Sequence, residues 1–160
     1  MTLDIAAALQ ELRSGEESAR RKVVERLGAS GEPEAIPALL LAVADESWPV
    51  RQSATECLAA FSRVPLLAAL ESSLRDDENA GMRNAAMEIY VKLGGSAVDP
   101  LLVLLSDPDE EVRNFAGVML GTIGDARAVP RLIAALSDPD VNVRHAAAAS
   151  LGQIGSSDAV

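Results

Sequence analysis

The sequence predicts an all-α fold, a right-handed α-solenoid of five stacked antiparallel helical hairpins, and three observations predict it. The segment Ser106-Asp-Pro-Asp-Glu-Glu-Val-Arg113 recurs 31 residues later as Ser137-Asp-Pro-Asp-Val-Asn-Val-Arg144. Extended backwards, the same frame yields one arginine per unit: Arg20, Arg51, Arg83, Arg113 and Arg144. Periods of this length mark arrays in which each unit buries its apolar face only against its neighbours. Finally, 49% of the residues are hydrophobic but only 2% are aromatic. Such a core is built from Leu, Ile, Val and Ala, which suits packed helices better than strands.

The frame divides the chain into repeats at about 1–31, 32–62, 63–94, 95–124 and 125–155 within a single domain, 1–160. Residues 156–160 read as the start of a further, truncated repeat, because Asp158-Ala-Val160 aligns with Arg127-Ala-Val129. Each repeat opens with a short first helix, expected near Leu3–Leu12, Glu34–Val43, Pro65–Leu74, Val98–Leu105 and Val129–Leu136. The third of these looks about a turn longer, and its linker Ser62-Arg-Val-Pro65 lacks glycine, so a change of superhelical angle is expected there. Six residues before each arginine stand Ser14, Asp45, Asp77, Asp107 and Asp138, read as N-caps of the second helices. Glu17 and Glu110 would complete capping boxes, and Pro108 and Pro139 would take the first helical position. Eleven residues after each arginine come Gly31, Ser62, Gly94, Gly124 and Gly155, so four of the five second helices carry a glycine stop signal.

Between these signals, apolar columns recur with helical spacing. They are Ala19/Val50/Met82/Val112/Val143, Val23/Ala54/Ala86/Ala116/Ala147 and Leu27/Leu58/Tyr90/Leu120/Leu151, followed by Phe61, Leu93, Ile123 and Ile154. This stripe is the expected buried face of the second helices.

The pattern Asp-Pro-Asp-x-x-Val-Arg-x-x-Ala-x-x-x-Leu-Gly-x-Ile-Gly, close to complete in repeats four and five, resembles HEAT repeats. It is most similar to the short HEAT-like class first recognised in phycobilin lyase subunits. The resemblance covers the whole chain and implies that Asp and Arg form a ladder between successive repeats while second helices line a concave face. Carried onto these residues, the ladder is Asp45/Arg51, Asp77/Arg83, Asp107/Arg113 and Asp138/Arg144, with Ser14 departing from it.

Composition narrows the function. A net charge of −10 disfavours nucleic acid and anionic membranes as partners. Over half of the 24 acidic residues sit in the turns before second helices, where they complement the helix dipole. His145 and Cys57, each the single residue of its type, fall in different repeats and make no metal site unaided. His145 is read as an exposed residue and Cys57 as a packed one. No cofactor, catalytic residue, metal ligand, membrane span or signal peptide is read, and the expected location is cytoplasmic.

The leading expectation is a non-catalytic protein-interaction scaffold that holds a partner segment on its concave face. One column of second-helix residues runs Glu25, Glu56, Glu88, Val118, Ala149; its neighbour runs Val24, Thr55, Met87, Gly117, Ala148. Glu25, Glu56, Glu88, Met87, Val118 and Ala149 are the candidate contacts, with Trp48 as a further candidate, since tryptophan is enriched at binding hot spots. A basic amphipathic segment would complement this gradient, and the last repeat offers a surface for self-association. The resemblance leaves one alternative open, a subunit of a bilin lyase or similar cofactor-handling enzyme. A nucleic-acid-binding solenoid is a further alternative, disfavoured by charge.

Overall fold

A computed structural model describes residues 4–157, with side chains through Gly155. Among the described residues all regular structure is helical. First and second helices alternate as α1 (Ile5–Ser14) and α2 (Glu17–Ser30), then α3 (Ile36–Val43) and α4 (Trp48–Ala59). They continue as α5 (Arg63–Leu74) and α6 (Ala80–Leu93), α7 (Val98–Leu104) and α8 (Glu110–Ile123), and α9 (Val129–Ala135) and α10 (Val141–Ser157). Single 3-10 turns precede α3, α7 and α9. The expected first-helix start at Leu3 and the tail at Asp158–Val160 lie outside the described residues. At twelve residues α5 exceeds α3, α7 and α9, as its sequence indicates.

The chain forms two compact units, one through Ile89 and one from Tyr90. In the first, α1 pairs with α2 and α3 with α4, and α2 packs directly on α4. In the second, α7 pairs with α8 and α9 with α10, and α8 packs on α10. The apolar stripe supplies both cores: Val23, Leu27, Val50, Ala54 and Leu58 in one, Val112, Ala116, Leu120, Val143 and Ala147 in the other, all buried. First helices complete them, with Leu39 and Leu40 in the first unit and Leu101 and Leu132 in the second. Ala19, Met82 and Leu151 are only half-buried at the edges of this stripe.

The caps differ from the sequence reading by about two residues. Asp109 caps α8 by accepting from Glu111 N–H, Asp140 caps α10 through Asn142 and Val143 N–H, and Asn79 accepts from Met82 N–H in α6. Asp45, Asp107 and Asp138 instead accept from the backbone N–H two residues on, closing Asx turns ahead of the helix. Pro108 and Pro139 therefore sit inside that turn, before the first helical residue, and the expected capping boxes do not form. In repeat three the turn is made by Asp76, which accepts from Glu78 N–H, and not by Asp77. The extra residue between Arg51 and Arg83 is absorbed at this point. Ser14 ends α1 and donates to the Gln10 carbonyl, so it caps nothing.

Three of the expected stop glycines, Gly31, Gly94 and Gly124, take positive φ values of 64°, 56° and 75°, which glycine adopts without a side-chain clash. Gly155 does not: α10 continues through it to Ser157.

Candidate interaction site

The arginine column builds the frame on which the surface rests. Arg20 grips the Asp45 carboxylate through Nε (2.8 Å) and Nη2 (2.9 Å), and donates from Nη1 to the Gly15 carbonyl. Arg113 repeats this, with Nε and Nη2 both 2.9 Å from Asp138 and Nη1 on the Asp107 and Pro108 carbonyls. Each of these arginines thus binds the carboxylate one repeat ahead and, through backbone carbonyls, the turn before its own helix. Arg51 and Arg144 make the backbone half of the pattern, to Asp45 and Glu46 and to Asp138 and Pro139 respectively. Arg83 reaches the Asp76 carbonyl at 3.4 Å and lies 3.7 Å from Asp77. Hydrogen bonding to Arg113 holds the Asp138 carboxyl below the usual carboxylate range. The fork of a guanidinium matches this bidentate geometry, as a lysine would not.

Beside the clamp, successive second helices approach closely at equivalent places. A Cβ on Gly28 would overlap Cys57 Sγ, and one on Gly121 would overlap Ser150 Oγ. The groups that fill these gaps bond across them: Cys57 Sγ donates to the Val24 carbonyl at 3.8 Å and Ser150 Oγ to the Gly117 carbonyl at 2.8 Å. This corrects the reading of the Val24/Gly117 column as groove lining. Val24 is fully buried, Gly117 is buried against Ala146, and Met87 is half-buried. At 100° per residue this column turns toward the adjoining second helix in α2 and α8, where Val24 and Gly117 are covered, while Ala148 on α10 stays exposed; the next position, with Glu25 and Val118, turns to solvent.

That outer column is exposed throughout: Glu25, Glu56, Glu88, Val118 and Ala149. Trp48, the first residue of α4, is 65% exposed and does not lie beneath a neighbouring helix. In the first unit the structure brings three candidates together. Trp48, Glu25 and Glu56 line one open recess of about 280 Å³ with Arg21, Pro49, Gln52 and Ser53. Arg21 Nε donates to Glu25 Oε1 at 3.0 Å and Gln52 Nε2 to Glu56 Oε1 at 2.6 Å. Neither Arg21 nor Gln52 was singled out by sequence, although both stand four residues before a glutamate of the column, the spacing at which helical side chains meet.

In the second unit the positions matching Trp48, Glu25 and Glu56 are Val141, Val118 and Ala149, all exposed. Val118 and Val141 are exposed at 41% and 47%. Among the described residues no group of three or more His, Cys, Asp or Glu is placed to hold a metal ion. No described helix is long and apolar enough to cross a membrane.

Stacked helical hairpins joined by an Arg–Asp clamp define an α-solenoid of the armadillo and HEAT type. The chain belongs to the HEAT-repeat family, whose pattern matches residues 5–89 and 98–160. No curated protein matches it. Among solved structures it is similar to an engineered protein, at 20% identity and a TM-score of 0.46, over 97% of this chain and 81% of the other. It is similar to a designed armadillo repeat protein in complex with a (KR)4 peptide, at 20% identity and 0.42, over 92% and 80%. It is also similar to the complex of CpcE and CpcF of phycocyanin lyase from Nostoc sp. PCC7120, at 24% identity and 0.46, over 98% and 66%.

Proposed function

We propose that the chain is a non-catalytic interaction module that holds a partner segment against the exposed column of its second helices. One observation carries this reading: Trp48, Glu25 and Glu56, from two successive second helices, line a single open recess. Large aromatic surface is costly to leave in water, and binding surfaces concentrate it. The helices beneath are fixed by the Arg20–Asp45 clamp and the Gly28–Cys57 contact, so the recess is preformed and a partner bears little ordering cost from this side.

The test is selection of peptide ligands from a randomised display library, followed by mapping of their footprint on isotope-labelled protein by amide shifts. The expected footprint covers α2 and α4 around Trp48, Gln52 and Glu56. A footprint confined to first helices, around the exposed Val64, Val103 and Ile133, would reject the second-helix surface.

A further inference from the structure

We infer that the recess at Trp48 seats an arginine side chain of the partner, its guanidinium lying against the indole and hydrogen-bonding to Glu25 and Glu56. This rests on the reading of the second-helix column as the docking surface. Trp48 is the one tryptophan of the chain, and it presents its ring on the first turn of α4. The two glutamates flank the same recess, Glu25 from α2 and Glu56 from α4. Each has Oε1 engaged by a neighbour, Arg21 or Gln52, which leaves Oε2 to accept from an incoming donor. A cation over an aromatic face is attracted by the ring quadrupole, and this attraction strengthens as water is excluded. A guanidinium offers in-plane donors to two carboxylates while its face stacks on the ring; an ammonium is a compact, strongly hydrated point charge.

The field of the carboxylates extends between the helices. The Cys57 thiol, half-buried beside Glu56, is held above its ordinary range by burial first, then by the negative charges of Glu56 and Glu25. The recess contains one cation of its own, Arg21, in an exposed pair with Glu25. Exposed pairs of this kind are weak, so Arg21 competes with an incoming guanidinium for the charge of Glu25 without excluding it. The geometry therefore sets up a competition: removing Arg21 helps the ligand, and removing the glutamates harms it.

The single tryptophan makes the test direct. Trp48 fluorescence of the full chain is followed while short alanine–serine peptides bearing one central Arg, Lys, Leu or Glu are added, at low and at high salt. The arginine peptide is expected to give a saturable change, several-fold tighter than lysine and about tenfold tighter than leucine, weakening as salt rises. Glu25→Gln with Glu56→Gln should weaken it about tenfold, and Arg21→Ala should tighten it a few-fold, with helical circular dichroism unchanged in both. If the leucine peptide binds as tightly as the arginine peptide, or if the glutamine variant binds arginine as before, the arginine seat is wrong. Amide shifts separate this from the broader reading. Shifts along α2 or α4 without any response of Trp48 overturn the seat alone. No shift on any second helix with ligands that bind the protein overturns the docking surface as well.

Discussion

In the unit through Ile89, Arg20 reaches 25 residues ahead to Asp45; in the unit from Tyr90, Arg113 reaches 25 residues ahead to Asp138, with the same three guanidinium nitrogens in the same roles. Gly28 receives Cys57 in one, and Gly121 receives Ser150 in the other. The surfaces built on this shared framework differ. Where the first unit presents Trp48, Glu25 and Glu56, the second presents Val141, Val118 and Ala149 in identical register. The contacts that set helix spacing thus involve positions turned toward neighbouring helices, and the outer column is free to change chemistry without touching them. That separation is the physical basis for one repeat architecture serving unrelated tasks.

The sharpest way to break the shared framework is to fill the helix approach. Gly121→Val places its side chain into Ser150 Oγ and Cβ, next to Gln153. An overpacked site of this kind should cost about 3 kcal/mol, read as a lowered urea midpoint and lost amide protection in α8 and α10. Gly28→Val should cost a comparable amount, because it meets Cys57 Sγ and Cβ in the same way and turning the thiol outward does not move Cβ. Equal, negligible effects at both sites would mean that the helices stand further apart than described.

Next in size is the clamp. Arg113, 13% exposed, holds two repeats through four hydrogen bonds, and Arg113→Ala should cost about 1–3 kcal/mol, water at the rim screening part of the pair. Arg51, which makes the backbone contacts to Asp45 and Glu46, should cost less when replaced by alanine. A reversed order in chemical denaturation would show that the carboxylate grip contributes little.

Acid should reveal the same bond more gently. The carboxyl of Asp138 is held below its ordinary range, chiefly by hydrogen bonding to Arg113. A depressed folded pKa gives stability that is present above the unfolded value and is lost as pH falls through the folded one. Urea midpoints should therefore drop below the ordinary carboxylate range, and Asp138→Asn should flatten that part of the profile while lowering stability at neutral pH. An unaltered acid limb in Asp138→Asn would contradict this assignment.

Much of this framework is legible in the sequence, because period, arginine column and apolar stripe each depend on helical geometry that tolerates few substitutes. The caps are not, since Asp107-Pro-Asp109 offers two aspartates and local pattern does not say which closes the Asx turn and which caps the helix. The clamp positions decide it: Asp138 is committed to Arg113, so Asp140 is left for the helix. The Val24/Gly117 column was misread for a related reason. One residue of helical rotation separates it from Glu25 and Val118, and composition cannot distinguish small residues packed against a helix from small residues facing water. Gly28 and Gly121 carry a usable signal, since both stand eight residues after an arginine. The gathering of Trp48 with Glu25 needs the three-dimensional spacing of α2 and α4.

The smallest expected effect on stability carries the most information about function. If the two units differ only in their outer column, the surface of the first can be transplanted onto the second by Val141→Trp, Val118→Glu and Ala149→Glu. All three residues are exposed, and none takes part in the clamp or the glycine contacts, so each change should shift stability by no more than about 0.5 kcal/mol. Asn114 occupies the place of Arg21 there, so the grafted site has no internal guanidinium to displace. Titration with the arginine peptide should then show a second binding event, tighter than that at Trp48 and lost when either new glutamate is reverted. Measured in a Trp48→Phe background, the new tryptophan reports this event alone. A stable graft that ignores arginine would show that the recess depends on residues beyond the outer column, with Pro49 and Ser53 in its wall the first to examine.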